Sequence, residues 1–212
     1  MDTGNCDLSI VKQQLKEQLK QLSDDIRQSL EVFDESDNCM LGQFEQFRKS
    51  IIALESTAAS FYLNCYLSPY TDKYAELTLS IHHLSQRRLG ALIVVQRQDS
   101  LDHLIQPGTP IGATLTHSLL ESIFISGSPL HDGAVIIRAN EILSAGNILP
   151  LSRSIPPGSK FGTRHRAAAG LSERSDALVL VVSEESGTAS FALGGRLYPI
   201  SSLIPAENAA EK

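Results

Sequence analysis

The sequence predicts an α/β protein, with a mixed twisted β-sheet flanked by helices and an N-terminal α-helical hairpin ahead of it. Three observations carry that prediction. Over residues 1–62 the apolar side chains recur at steps of three and four, the period of a helix face. Further on they gather in short β-branched runs such as Ala91–Arg97, Ala134–Arg138 and Ala177–Val182, which have the length of strands. These runs alternate with helical segments and with Gly, Pro and Asn punctuation, the pattern of a sheet covered by helices.

The first helix is marked by Leu8, Val11, Leu15, Leu19, Leu22, Ile26, Leu30 and Phe33, with Asp7 in position to cap it. Asp34–Asn38 reads as a turn. Leu41, Phe44, Phe47, Ile51, Leu54, Ala58 and Phe61 mark a second helix. An antiparallel pair would bury the two stripes on each other. So small a core needs a further surface, supplied either by the rest of the chain or by other subunits, and periodicity leaves both open. Pro69 and mixed polarity place the domain boundary in Leu63–Tyr74, which separates residues 1–62 from 63–212. Ala75–Arg88 follows as a helix with Leu77, Ile81 and Leu84 on one face, and then the strand Ala91–Arg97. Pro107, Gly108, Pro110 and Gly112 mark loops around a short extended piece. Thr116–Phe124 is predicted helical. Ala134–Arg138 and Ile142–Ile148 read as a hairpin about a turn at Ala139–Asn140, since Asn140 tolerates φ > 0. His165–Arg174 is helical in composition. Ala177–Val182 and Thr188–Leu193 are strands on either side of a turn at Glu184–Gly187.

Composition narrows the class of partner. The net charge of −6 excludes the broad cationic surface of a duplex nucleic-acid binder, and no nucleic-acid partner is expected. A small anion remains possible, because a pocket needs only a few placed cations. Cys6, Cys39 and Cys65 are odd in number and lack a Cys-x-x-Cys pair, which predicts reduced thiols and no zinc knuckle. The N-terminus is acidic and polar rather than signal-like. No apolar run approaches the ~18–20 residues that cross a bilayer. A soluble cytoplasmic protein without a membrane partner is the expectation.

Three clusters have chemical character. In Pro129-Leu130-His131-Asp132-Gly133-Ala134, a carboxylate beside an imidazole and a glycine leads into a strand. Asp132 is able to bind a divalent metal or accept a hydroxyl proton, His131 to ligate metal, and Gly133 to admit a ligand close to the backbone. Asp-Gly is also a common turn dipeptide, so spacing alone leaves a structural turn open. In Gly162-Thr163-Arg164-His165-Arg166, two arginines, a histidine and a hydroxyl crowd a predicted helix start. Cations there oppose the helix dipole, which is unfavourable unless an anion binds, and guanidinium groups match phosphate oxygens. Gly158 and Gly162 would let the loop wrap such a ligand. Ser183-Glu184-Glu185 ends a strand, a common place for binding residues and equally for a solvated turn.

Taken in order, these clusters resemble the catalytic domain of the diadenylate cyclase family. The resemblance covers roughly Leu89–Leu197 and is supported by Gly90-Ala91-Leu92-Ile93, Leu149-Pro150-Leu151-Ser152 and Val182-Ser183-Glu184-Glu185. The N-terminal hairpin is similar to that of the family's soluble, sporulation-specific members from bacilli. The transmembrane helices of its membrane-bound members, and the helical spine and helix-hairpin-helix of its DNA-scanning members, are not expected here.

The resemblance implies that two ATP become cyclic di-AMP and two pyrophosphates, with Mg²⁺ or Mn²⁺ required. It implies Asp132, Gly133 and Ala134 as the catalytic motif, with Asp132 assisting the ribose 3′-hydroxyl. Thr163, Arg164, His165, Arg166 and Ser183 would contact phosphates, and His131, Asp132 and Glu184 the metal, with Glu185 nearby. Leu149 would contact adenine, together with Ile148. Asn147-Ile148 stands where a cysteine and often an aromatic are the family's pattern, so the base would be held by apolar contact. The two-fold symmetric product implies a homo-oligomer of facing sites, a dimer or a hexamer. The apolar stripe of the N-terminal helices, set beside that need for face-to-face contact, leads to the expectation that they restrain activity. The alternative is a non-catalytic sensor of adenine nucleotides or cyclic di-AMP.

Overall fold

A computed structural model of the chain describes residues 9–35, 40–156 and 161–200. The expectations at Asp7, Leu8, Gly158 and most of the Asp34–Asn38 turn lie outside those residues, as does the side chain of Phe33. The elements in order are α1 (Ser9–Glu35), α2 (Leu41–Leu67), α3 (Tyr74–Gln86), β1 (Ala91–Gln96), β2 (Thr109–Thr114), α4 (His117–Phe124), β3 (Ala134–Arg138), β4 (Glu141–Asn147), α5 (Thr163–Ser172), β5 (Leu178–Val182), β6 (Ala189–Leu193) and β7 (Arg196–Ile200).

The seven strands form one mixed sheet in the order β2-β4-β3-β1-β5-β6-β7. Only β1 and β3 run parallel, with Ile93 opposite Val135, while every other neighbouring pair is antiparallel. All six residues of β1 and all five of β5 are buried, which is why these strands read as unbroken apolar runs. The period of two then sorts them onto two faces. Ile93, Val95, Val135, Ile137, Leu178, Leu180 and Val182 face α2, α3 and α4, where Leu63, Leu67, Leu77, Ile81, Leu84, Leu120 and Phe124 complete the larger core. Leu92, Val94, Ala134, Ile136, Val179 and Val181 face α5, which meets them with Ala167, Ala168 and Leu171. Small residues let α5 lie close: a side chain at Gly170 would sit 2.2 Å from the Pro150 carbonyl oxygen.

The structure departs from expectation in four places. Helix α2 continues to Leu67, into the expected boundary segment, and Ala59, Leu63 and Leu67 belong to the sheet's core. The second half of this helix therefore packs on the rest of the chain, while Leu41, Phe44, Ile51 and Ile52 in the first half stay exposed. Cys65 is buried and disulfide-bonded, against the expectation of reduced thiols; Cys6 and Cys39 lie outside the described residues. At the β3–β4 turn the left-handed residue is Ala139 (φ 50°), not Asn140. The Asn140 carboxamide is instead engaged: its oxygen accepts from the Thr71 hydroxyl and the Asp72 N–H, both at 3.0 Å, which ties the end of the α2 segment to the hairpin. Strand β7 was not read from the sequence. Its Pro199 argues against a central strand but is tolerated at an edge, and the positive-φ pair Gly194-Gly195 that joins it to β6 is a tight hairpin turn.

Asn147, at the end of β4, is 1% exposed and fully engaged. Its Oδ1 accepts from the Gly108 N–H at 2.8 Å and the Ser144 hydroxyl at 3.0 Å, and its Nδ2 donates to the Ala134 carbonyl at 2.8 Å. One side chain thus joins the β2 entrance, β4 and the start of β3. Asn147→Ala orphans a half-buried N–H and a buried carbonyl, and should lower unfolding free energy by about 2–4 kcal/mol in urea titration.

Candidate functional site

The register of the sheet brings the three sequence clusters to one end. Ala91 pairs with Val182, Ile93 with Val135 and Ala134 with Asn147. The start of β1, the start of β3, the end of β4 and the end of β5 therefore share a rim. Gly90, His131-Asp132-Gly133, Ile148 and Ser183-Glu184 lie on it, and α5 joins it through Arg164.

Asp132 is exposed and His131 half-buried. His131 Nδ1 lies in hydrogen-bonding contact with the Ser128 carbonyl; as a donor there it leaves Nε2 as the ligand atom. Gly133 has φ 110°, and a side chain on it would come within 2.7 Å of the Gly146 carbonyl carbon. The glycine is needed because β4's backbone passes this close, whether or not a ligand approaches it. Ala134 is fully buried, and its carbonyl is held by Asn147.

Helix α5 begins at Gly162, which offers no side-chain cap, and no acid stands in its first turn. Its first N–H groups are open to an anion. Thr163 is exposed. Arg164 Nη1 donates to Glu184 Oε2 at 2.7 Å. Arg166 Nε donates to the Ile155 carbonyl at 3.2 Å, so this arginine is anchored by one nitrogen with its other two left for a ligand. The loop that follows β4 is pinned to the same helix. The Ser152 N–H donates to the Arg166 carbonyl at 2.9 Å, and the Ser152 hydroxyl donates to Glu173. His165 differs from its neighbours: it is 9% exposed, with its ring 5.6 Å from that of Phe161. Burial pushes its pKa below the usual 6.5, opposed in part by the charge of Glu185, and the ring is therefore neutral at pH 7.

The residues expected at the base and the metal are partly gathered. Ile148 is 59% exposed and exchanges backbone hydrogen bonds with Gln106. Leu149 is 6% exposed and belongs to the core under α5, so it lies behind the surface on which Ile148 stands. Ser183 is half-buried, its N–H bonded to the Thr188 carbonyl and its hydroxyl accepting from Ser186 N–H. Glu184 is taken by Arg164, and Glu185 is exposed. Among the described residues no three of His, Cys, Asp or Glu converge to hold a metal. Asp132 and His131 Nε2 are the candidate metal-ligating groups on this rim, and a divalent cation there would need its remaining ligands from a bound polyphosphate. Sequence reasoning missed the linking roles of Asn147, Ser152 and Gly90. A polar residue inside an apolar run was the available signal for Asn147.

This arrangement defines a nucleotide-binding α/β domain with an anion site and an exposed carboxylate on one sheet rim. Comparison with known proteins agrees. Residues 78–197 match the family described as DisA bacterial checkpoint controller nucleotide-binding, and residues 3–70 match the family described as diadenylate cyclase CdaS, N-terminal. The chain is 50% identical to the diadenylate cyclase CdaS of Bacillus thuringiensis, covering 90% of this chain and 97% of that one. It is 44% identical to the cyclic di-AMP synthase CdaS of Bacillus subtilis, covering 86% and 87%. A crystal structure titled as a hypothetical membrane spanning protein from Bacillus cereus superposes with a TM-score of 0.74 at 49% identity, covering 90% and 93%. The chain belongs to the diadenylate cyclase family. Among the described residues no helix is long and apolar enough to cross a membrane.

The buried His165 has a consequence for stability. Its pKa is lower folded than unfolded, so between the lowered value and 6.5 the unfolded chain binds more protons. Stability from this group is complete above 6.5 and falls as pH drops through that window. Thermal midpoints measured from pH 7 to 5 should decline for the native chain and flatten for His165→Gln.

Proposed function

We propose that two copies of this chain, each holding one ATP at the rim of its sheet, join the nucleotides into cyclic di-AMP and release two pyrophosphates. The observation that carries this reading is the ordered rim itself, where an exposed carboxylate at the entrance of β3 shares one edge with a helix N-terminus bearing two arginines. A passive anion site has no use for the carboxylate.

In this reading the triphosphate lies at α5, bound by the open N–H groups, the Thr163 hydroxyl and the guanidinium groups of Arg164 and Arg166. Adenine rests on Ile148, with Leu149 as the apolar floor behind it. Asp132, with His131, would hold Mg²⁺ or Mn²⁺ jointly with substrate phosphates. When bound, the ion would acidify the ribose hydroxyl and neutralise phosphate charge. Each 3′-oxygen attacks the α-phosphorus of the opposite nucleotide. The new O–P bond forms as the bond to the β-phosphate's bridging oxygen breaks, and the hydroxyl proton passes to the Asp132 side. The arginines hold the departing pyrophosphate and stabilise its growing charge. Since the product has two-fold symmetry, two identical rims must face one another, in a dimer or in a hexamer built from such dimers. Holding both nucleotides in line supplies on the order of 7–11 kcal/mol of the barrier.

The hairpin has a part in this. Leu19, Leu30, Leu41, Phe44, Ile51 and Ile52 are exposed on α1 and α2, an apolar surface suited to contact between subunits. In the proposed assembly this contact holds the rims apart and restrains turnover. Removing Met1–Phe61 would cut through α2 where it enters the core, so substitution is the cleaner test.

Two outcomes are expected. Incubation with ATP and Mn²⁺ should give cyclic di-AMP and pyrophosphate by mass analysis, and Asp132→Asn should keep ATP binding by calorimetry while turnover falls about 10²–10⁴-fold. Linear products, or no product at all, would remove the cyclase reading. Phe44→Glu combined with Ile51→Glu should lower the assembly mass in light scattering and raise turnover. A fall in turnover with smaller mass would make the hairpin an activating scaffold instead.

A further inference from the structure

Gly90 is buried immediately before β1, and its backbone lies outside the left-handed region, so an L side chain is compatible with the main chain there. Other glycines at the rim are demanded by neighbouring backbone. A side chain at Gly108 would lie 2.1 Å from the Ala145 carbonyl oxygen, and one at Gly133 would lie 2.7 Å from the Gly146 carbonyl carbon. At Gly90 the obstruction is of another kind. A Cβ would lie 2.5 Å from Arg164 Nη1, 2.8 Å from Glu184 Oε2 and 2.9 Å from Arg164 Cζ. These are the far ends of two flexible side chains, and they are the two partners of the 2.7 Å ion pair.

The Arg164 side chain comes from α5, on one face of the sheet, and Glu184 follows β5, the strand next to β1, whose Ala91 pairs with Val182. The two side chains meet against the β1 entrance at Gly90, the residue there without a side chain. Arg164 Nε is buried without a hydrogen-bond partner, so Glu184 is the only hydrogen-bonding hold on this guanidinium among the described residues. Moving the guanidinium away from Gly90 would leave it no second anchor.

We propose that Gly90 is a positioning residue for the anion site: the space left by its missing side chain is the seat in which Glu184 holds the Arg164 guanidinium, ready for phosphate. The fold itself tolerates a side chain there, and the site does not. In this role Glu184 orients an arginine while the nucleotide is absent. The inference rests on the assignment of Arg164 to the triphosphate made above.

The test is Gly90→Ala in the full chain, alone and with Glu184→Gln, read by thermal midpoint, ATP calorimetry and steady-state kinetics. The thermal midpoint should hold or rise, since alanine restricts the unfolded chain more than glycine does. Affinity for ATP should fall roughly 10-fold or more, the scale of one charge-assisted hydrogen bond lost. The loss should appear in KM more than in kcat. Adding Glu184→Gln to Gly90→Ala should cost little further, because both changes release the same guanidinium from the same seat. Unchanged ATP affinity in Gly90→Ala, a large fall in its midpoint, or fully additive losses in the double variant would each overturn the proposal. Native protein that neither binds nor converts ATP would instead overturn the cyclase reading, so the two failures are distinct.

Discussion

The parallel pairing of β1 with β3 is the constraint on which the site depends. Both strands are buried on both faces, and a slip of one residue would exchange every side chain between the α2–α4 core and the α5 core. Such a slip would place Leu92 and Val94 among the large side chains of α3 and α4, and Ile93 and Val95 against the alanines of α5. Leu92 and Ile93 are isomers and Val94 and Val95 identical, so neither size nor polarity separates the faces of β1, and its register is set by how the whole sheet packs between the two cores. With it fixed, Gly90 and Asp132 stand at adjacent strand entrances, and the antiparallel β5 delivers Glu184 to the same rim. Gly90, Asp132 and Glu184 are carried there by strands, and Arg164 by α5, whose positions the two cores determine.

Helix α5 shows how packing and chemistry share one element. Its inner face is made of small residues so that the helix can lie close to the sheet, and its first turn projects past the rim with two arginines and no acid. In isolation that start is unfavourable, because cations sit at the positive end of the helix dipole. Three features offset the conflict. Glu184 pairs with Arg164, the Ile155 carbonyl anchors Arg166, and burial keeps His165 neutral. The same helix end is then held in shape with its cations in place, in a chain whose net charge is −6.

The hairpin is divided along its length. The later turns of α2, from Ala59 to Leu67, are part of the larger core, and Tyr66 stands 6.3 Å from Phe191 of β6. The earlier turns carry apolar side chains into solvent alongside α1. The helix therefore links an exposed apolar surface with the face of the sheet opposite α5.

Much of this was legible in the residues. The central strands β1, β3 and β5 announce themselves because burial on both faces demands continuous β-branched runs, and α1 and α2 because a one-sided surface demands a helical period. The site clusters were legible because their chemistry is unusual for their setting: an Asp-Gly at a strand entrance, and cations at a helix start. Strand β7 was hidden because edge strands need little apolar pattern and admit Pro199. The pairing of Arg164 with Glu184, the linking role of Asn147 and the seat at Gly90 had no sequence signal of their own, since each joins residues distant along the chain. Local composition determined which elements form and which residues carry charge and ligand atoms. Only the tertiary structure decided which of those residues meet, because that follows from strand register and from the space between side chains, and neither exists until the sheet closes between its two layers of helices.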